Sequence, residues 1–146
     1  MATNTAGSSG YKRSNDYGPY IMKKRILFAD WTGTNNDRHV VGTLPPYSVV
    51  IAAFSHVIVK TAFDDATGDD LDIGVTGSDD DLFASALDLN TGDGVLLTLD
   101  DLADANRYST TEREVTCNFT TAPDDTGTTG EAYIYIGYLM ADTGAS

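Results

Sequence analysis

The sequence predicts an all-β protein: an antiparallel β-sandwich, jelly-roll-like, with an extended N-terminal arm. Two observations carry this. Short apolar runs with period-two alternation recur along the chain, separated by clusters of Gly, Asp, Asn and Pro. No sustained alternation of strand and helix patterns appears between them, which disfavours a parallel α/β sheet. Counting the runs gives about seven or eight short strands, the number of a Greek-key sandwich.

Residues 1–19 read as an arm rich in Gly, Ser and Asn, with Tyr11 and Tyr17 and a Gly18-Pro19 break. Such a segment cannot bury apolar surface by itself. The domain is then 20–146. The run from Tyr20 to Asp30 reads as a strand or a short helix, and the apolar density from Arg25 to Ala29 favours the strand. Asn35, Asn36 and Asp37 mark a loop, and His39 to Leu44 a short strand stopped by Pro45 and Pro46.

Val49 to Phe63 is the clearest apolar run and predicts one long strand. Val49, Ile51, Ala53, Val57 and Val59 would enter the core, while Phe54, His56, Ile58 and Lys60 would lie on the other face. Asp64 to Asp70 reads as a turn in which Asp caps backbone groups and Gly supplies positive φ. Leu71, Ile73 and Val75 alternate as a strand. Asp79, Asp80 and Asp81 before LFASALDL predict one helical turn, because carboxylates favour a helix N-terminus. Gly94 to Leu99 alternates weakly, and 100–110 reads as a loop. In Glu112 to Thr120, Val115, Cys117 and Phe119 point inward and Glu114, Thr116 and Asn118 outward. After a Thr/Gly/Asp loop over 123–130, EAYIYIGYLM from Glu131 to Met140 makes a long final strand.

The chain has 146 residues, which suits one domain. Its 41% hydrophobic content supports one core. The net charge of −13 argues against free nucleic-acid binding, which needs clustered Lys and Arg, and against docking on an anionic membrane. The charge is uneven. Residues 1–30 hold five basic and two acidic groups, a balance of +3, and the remainder four basic and 20 acidic, a balance of −16. A basic arm that reaches an acidic neighbouring surface fits this division, as does a solvated end that aids solubility. The single cysteine, Cys117, forms no intrachain disulfide, and its inward position predicts an inert buried thiol. No stretch reaches the length of a membrane-spanning helix, and the N-terminus lacks a secretory design, so synthesis in a cytoplasm without export is expected.

Catalytic and metal motifs are sparse. His39 and His56 lack a second His or Cys at ligand spacing, and no G-x-S-x-G, P-loop or G-x-G-x-x-G occurs. The expectation is no enzyme and no cofactor. Asp64, Asp65, Asp69, Asp70, Asp72 and Asp79 to Asp81 crowd into loops, where carboxylates can hold Ca²⁺. The D-x-[DN]-x-[DN]-G pattern is missing, and turn chemistry accounts for such residues equally well.

The aromatic count points to contact surfaces. Tyr133 and Tyr135 share one face of the final strand, while Ile134, Ile136 and Tyr138 take the other. One face suits the core and the other a partner, since aromatics concentrate at interfaces. The candidate interface residues include seven basic and aromatic groups from the first 25 positions, Lys12, Arg13, Tyr17, Tyr20, Lys23, Lys24 and Arg25. To these add Phe54, His56, Tyr133 and Tyr135.

Four stretches carry a family resemblance: GTLPPYSVVI from Gly42 to Ile51, VIVKTAF from Val57 to Phe63, LDIG from Leu71 to Gly74 with SDDD from Ser78 to Asp81, and GEAYIYIGY from Gly130 to Tyr138. Together they resemble small virion proteins of tailed bacteriophages, in which an LPxGxxI lead-in precedes a VxVxTAF strand and an LxIG strand-turn. Tyr47 and Ser48 depart from that pattern, standing where a small residue and Gly are common. The resemblance implies a jelly-roll capsid decoration or cement protein at the capsid surface of the virion. It implies self-association, often as a homotrimer, and contact with the major capsid protein. Related folds in tails and head fibres leave a module that binds a host receptor or glycan as the alternative. The pattern carries no catalytic residue.

Overall fold

The computed structural model describes residues 19–30, 38–64, 70–120 and 127–141. The candidate residues Lys12, Arg13 and Tyr17, the Asn35–Asp37 loop and much of the 64–70 and 123–130 loops lie outside them. The strands are β1 (Tyr20–Leu27), β2 (Arg38–Leu44), β3 (Ser48–Val50), β4 (His56–Thr61) and β5 (Asp70–Val75). They continue with β6 (Ala84–Asp88), β7 (Val95–Thr98), β8 (Tyr108–Ser109), β9 (Arg113–Phe119) and β10 (Glu131–Met140). One short helix, α1 (Asp104–Arg107), interrupts the stretch read as loop from the sequence.

Two antiparallel sheets result. In the first, β7, β4 and β10 lie side by side, and β1 pairs the opposite edge of β10. The short strands β3 and β8 extend this sheet at the far end of β10. The second sheet runs β2-β9-β5-β6. Leaving out β3 and β8, the eight main strands fall in chain order 1-8-3-6 and 2-7-4-5. That is the double Greek key of a jelly roll.

The core forms where period-two alternation puts apolar groups between the sheets. β10 contributes Ala132, Ile134 and Ile136, and β9 contributes Val115, Cys117 and Phe119. Leu71, Ile73 and Val75 of β5 and Val57 and Val59 of β4 meet them. Each large apolar side chain so buried stabilises the fold by about 1.5–3 kcal/mol. Phe63 packs edge-on against Phe119, with centroids 5.7 Å apart.

The run from Val49 to Phe63 is two strands, not one. The backbone makes a single 3-10 turn at Ala52–Phe54, and the inward parity changes across it. Val50, Val57 and Val59 are fully buried, whereas Val49, Ile51 and Ala53, expected inside, are not. Ser55 explains the break. Its buried hydroxyl donates to the Ile51 carbonyl oxygen at 2.8 Å and accepts the Gly137 N–H at 3.1 Å. One side chain therefore satisfies backbone groups that a continuous ladder would have paired.

The helical turn expected after Asp81 is absent. The chain continues into β6, with the Phe83 N–H bonded to the Ile73 carbonyl oxygen and Leu87 and Leu89 buried. Core burial of these apolar groups outweighs the N-terminal preference of three carboxylates, each worth well under about 1 kcal/mol at a surface. Ala86 takes a positive φ of 51° in this irregular strand. Thr116 and Asn118 do point outward from β9, yet both are buried. The loop after β5 lies against Gly74, the register partner of Thr116.

At the lead-in to β3, Tyr47 sits at a φ of 64°. The Ser48 N–H bonds to the Pro45 carbonyl oxygen, closing a turn whose third residue is left-handed, the position glycine suits best. The conformation is held from both sides. The Tyr47 N–H donates to the Ser109 carbonyl oxygen, and its own carbonyl oxygen accepts from the Ala141 N–H, each at 2.8 Å.

Two measurements test this account. Ser55→Ala should lower the unfolding free energy by about 1–3 kcal/mol in urea, because the Gly137 N–H is left buried without an acceptor. Burial pushes the Cys117 thiol up to about 12. A thiol reagent at pH 8 should therefore label Cys117 only after denaturant is added.

Candidate contact face

The outer face of the first sheet is built by the positions of β10 that alternate with its core residues. Antiparallel register carries those positions across the neighbouring strands. Leu96, Ile58, Tyr133 and Arg25 form one row, and Thr98, His56, Tyr135 and Lys23 the next. Beyond them Gly137 pairs with Ile21. A Cβ on Gly137 would collide with the Phe54 Cβ, so the absence of a side chain there is what lets Phe54 lie across the strand.

The face is apolar in its body. Ile21 is 58% exposed, Leu96 56% and Phe54 47%. Tyr133 and Tyr135 lie half-buried between these groups. Exposed apolar groups clustered this closely are unusual on a solvated sheet.

Its charge is organised around Glu131. Arg25 Nε donates to Glu131 Oε1 at 2.8 Å, Lys60 Nζ lies 3.1 Å from Oε2, and the Tyr133 hydroxyl donates to Oε1 at 2.8 Å. The Tyr133 hydrogen bond and then the Lys60 contact, joined by Arg25, hold the Glu131 carboxyl at about 2. Lys23 Nζ stands 4.6 Å from the Tyr133 ring centroid and 5.7 Å from that of Tyr135. Its ammonium is drawn to the negative ring faces. The strand positions of this face thus carry three fixed cations, Lys23, Arg25 and Lys60, against the single carboxylate of Glu131. On a chain of net charge −13 this is a basic, aromatic island.

Of the residues the sequence singled out, Lys23, Arg25, Phe54, His56, Tyr133 and Tyr135 come together here. Tyr20 and Lys24 do not. Both point to the opposite side of β1, where Tyr20 stacks on Tyr138 at 5.3 Å and Lys24 pairs in register with Ile134. The period of two that puts Lys23 and Arg25 on the face necessarily turns Tyr20 and Lys24 away. His56 packs against the preceding turn, its Nε2 at 2.8 Å from the Ala53 carbonyl oxygen. Ile58 and Lys60, which the alternation already put on the outer side with Phe54 and His56, complete the face together with Ile21, Leu96 and Glu131, which the sequence did not single out. Leu96 gave little signal, because the four residues of β7 are too few for alternation to show which side meets the core.

No family model matches the chain, and no curated protein matches it. Solved structures do match in shape. One is a chain of the "Cyanophage Pam1 capsid asymmetric unit", with TM-score 0.60 and 17% identity over 86% of each chain. Another is from the "Capsid of Ralstonia phage GP4", with TM-score 0.55 and 19% identity over 87% of each. The chain shares their fold. The expected phage-type jelly roll is therefore the fold observed.

The second sheet presents a different outer face. Arg38 on β2, Asn118 on β9 and Asp72 on β5 stand in one row. Arg38 pairs with Asp80 at 2.9 Å. Burial pushes the Asp72 carboxyl up, and its Oδ1 accepts the Ala86 N–H at 2.8 Å. Asp79, Asp80 and Asp81 bring carboxylate oxygens within 4.8 Å of one another. The two histidines belong to opposite sheets, His39 to β2 and His56 to β4, so they share no site.

The Glu131 cluster predicts a pH signature. Its carboxyl is lowered from the ordinary 4.5 to about 2, so the cluster's contribution is complete above pH 4.5 and is lost as pH falls towards 2. The melting temperature of the unsubstituted chain should exceed that of Glu131→Gln near neutrality, and the gap should close between those two values. A gap independent of pH would contradict the assigned pairing.

Proposed function

We propose that the chain is a structural protein of a phage virion. It decorates and cements the capsid surface, self-associates as a trimer and bridges capsid subunits. The observation that carries this reading is the basic, aromatic outer face of the first sheet, on a jelly roll shared with chains of two phage capsid structures. A cement protein needs no catalytic group. It needs a rigid small domain and a preformed contact face, and aromatic anchors with a guanidinium are the residue types that dominate interface energetics.

Local three-fold positions in an icosahedral shell offer three copies of one site, which a C₃ trimer meets with three copies of one face. Engaging several subunits at once multiplies affinity without new chemistry. The basic residues of the 1–19 arm, Lys12 and Arg13, belong to this proposal as a second point of contact. The net negative charge of the chain suits a position away from packaged DNA.

Particles lacking the protein should release their DNA at a lower temperature than complete particles. Adding back the unsubstituted protein should restore the heat stability, and adding Tyr135→Ala/Leu96→Asp should not. Each lost anchor at an interface centre costs about 2 kcal/mol, roughly thirtyfold in affinity. Equal heat resistance with and without the protein would remove the cement role. Full restoration by the double variant would remove this face from it.

A further inference from the structure

Charge is divided between the two margins of the sandwich. β1 and β7 are opposite edges of the first sheet, and β2 and β6 those of the second. β1 packs against β2, where the Met22 thioether fills the space that a Cβ on Gly42 would need. β6 is tied to the segment that follows β7. The Ser85 N–H donates to Asp100 Oδ1 at 3.1 Å, and the Asp101 N–H to the Phe83 carbonyl oxygen at 3.2 Å. β1 and β2 therefore share one margin, and β6 and β7 the other.

The first margin holds Lys23, Lys24 and Arg25 on β1 and Arg38 on β2, and neither strand contains an acidic residue. Glu131 offsets Arg25, and Asp80 offsets Arg38. Lys23 and Lys24 form no ion pair among the described residues. The second margin is the reverse. No Lys, Arg or His stands anywhere between Lys60 and Arg107. Asp88, Asp93, Asp100, Asp101 and Asp104 are all exposed there. Among the described residues only Asp104 meets a cation, Arg107 at 2.9 Å. Asp88, Asp93 and Asp100 accept backbone N–H groups, which fixes the carboxylates and leaves their charge. Each margin also shows apolar groups to solvent, Ile21 and Val40 on the first and Leu96 on the second.

We propose that the β1–β2 margin of one copy docks on the β6–β7 margin of the next, joining copies head to tail. The pairing rests on the self-association in the proposed function and names its surfaces. A second copy is the occupant because the chain carries both halves of the match. Two basic margins, or two acidic ones, would set like charges together, and only the unlike pairing relieves both. The net charge of −13 opposes any association of copies. At about 0.15 M salt, however, exposed charges more than about 8 Å apart are largely screened, so the contacts at the seam outweigh the repulsion between bodies. Unlike surfaces joined head to tail form a ring when the rotation closes. Height along the strands agrees with this. Lys23 and Thr98 lie in one row, and Asp100 and Asp101 stand just beyond Thr98. A ring axis that runs along the strands keeps each group at its own height and so brings these groups together. Three copies in such a ring make the trimer.

The test is sedimentation of the full chain without any capsid, at about 0.15 M NaCl. An oligomer is expected at chain concentrations of about 10⁻⁴ M or below, the range of ordinary specific interfaces. Lys23→Glu/Lys24→Glu leaves two acidic margins, and Asp101→Lys/Asp104→Lys leaves two basic ones. Each should weaken association at least tenfold, with melting curves confirming that both are folded. The second variant alters exposed side chains that cap no backbone group, so it is decisive even if the first fails to fold. Mixing the two in equal amounts should restore association in species that contain both, since each supplies the margin the other has lost. A monomeric unsubstituted chain, undiminished association of Asp101→Lys/Asp104→Lys, or no rescue between two folded variants would overturn the pairing. Such a result beside particles that still need the protein for heat resistance removes these surfaces alone. Pairing as described, beside particles indifferent to the protein, removes the cement role alone.

Discussion

A strand in the middle of a sheet must satisfy its backbone groups on both edges, and β10 does so with three partners. β1 runs beside it from Glu131 to Tyr138. On the other edge β4 takes the first half and β3 the last three residues. The chain between those two strands has to leave the ladder and rejoin it, and the Ser55 hydroxyl stands in where the ladder is interrupted. Because successive side chains point to opposite faces, this one strand fixes both the core and the contact face. Ala132, Ile134 and Ile136 are held between the sheets, so Glu131, Tyr133 and Tyr135 are held outside. The contact face is therefore as rigid as the core beneath it, without any loop having to be ordered first.

Legibility followed the same physics. β5, β9 and β10 were readable because each buries one face, and alternation is the direct imprint of that burial. The division of Val49–Phe63 was not readable. An apolar run keeps its composition when its parity shifts, and the agent of the shift is a bond from Ser55 to a residue 82 positions away. The fate of Asp79–Asp81 was hidden for a similar reason. Local propensity favoured a helix start, while the deciding contacts are with Arg38 and the backbone over Gly74. Tyr47 is the intermediate case. The sequence marked it as a departure from a glycine-type turn, and the structure keeps the left-handed turn with tyrosine in place. The cost of that conformation, on the order of 1–3 kcal/mol, falls on a backbone hydrogen-bonded to strands on either side.

For the contact face, the alternation named the tyrosines and put Lys60 on the outer side of its strand, but register was needed to add Leu96 and to bring Lys60 to Glu131. One of the three basic residues of β1, Lys24, points away, a fact invisible in a charge count. Lys23 and Lys24 are adjacent in sequence and separated by the thickness of a sheet in effect. A basic cluster in a strand is always divided in this way, whereas on a helix neighbours three or four apart would have stayed together.

The arrangement around Glu131 bears on how such a face associates. Long basic side chains lose rotamer freedom when a partner immobilises them, and this loss weakens many charged contacts. Here Arg25 and Lys60 are already held by one carboxylate, and Lys23 rests over two rings. Part of the ordering cost has been met in folding. The phenol of Tyr133 is likewise engaged, so its ring presents an edge and a face instead of an unsatisfied hydroxyl. A partner that covers the face desolvates cations whose nearest counter-charge travels with them, which softens the penalty for burying charge. Apolar complementarity then sets the affinity, while the excess positive charge steers the approach of an acidic surface and makes the association rate fall with salt.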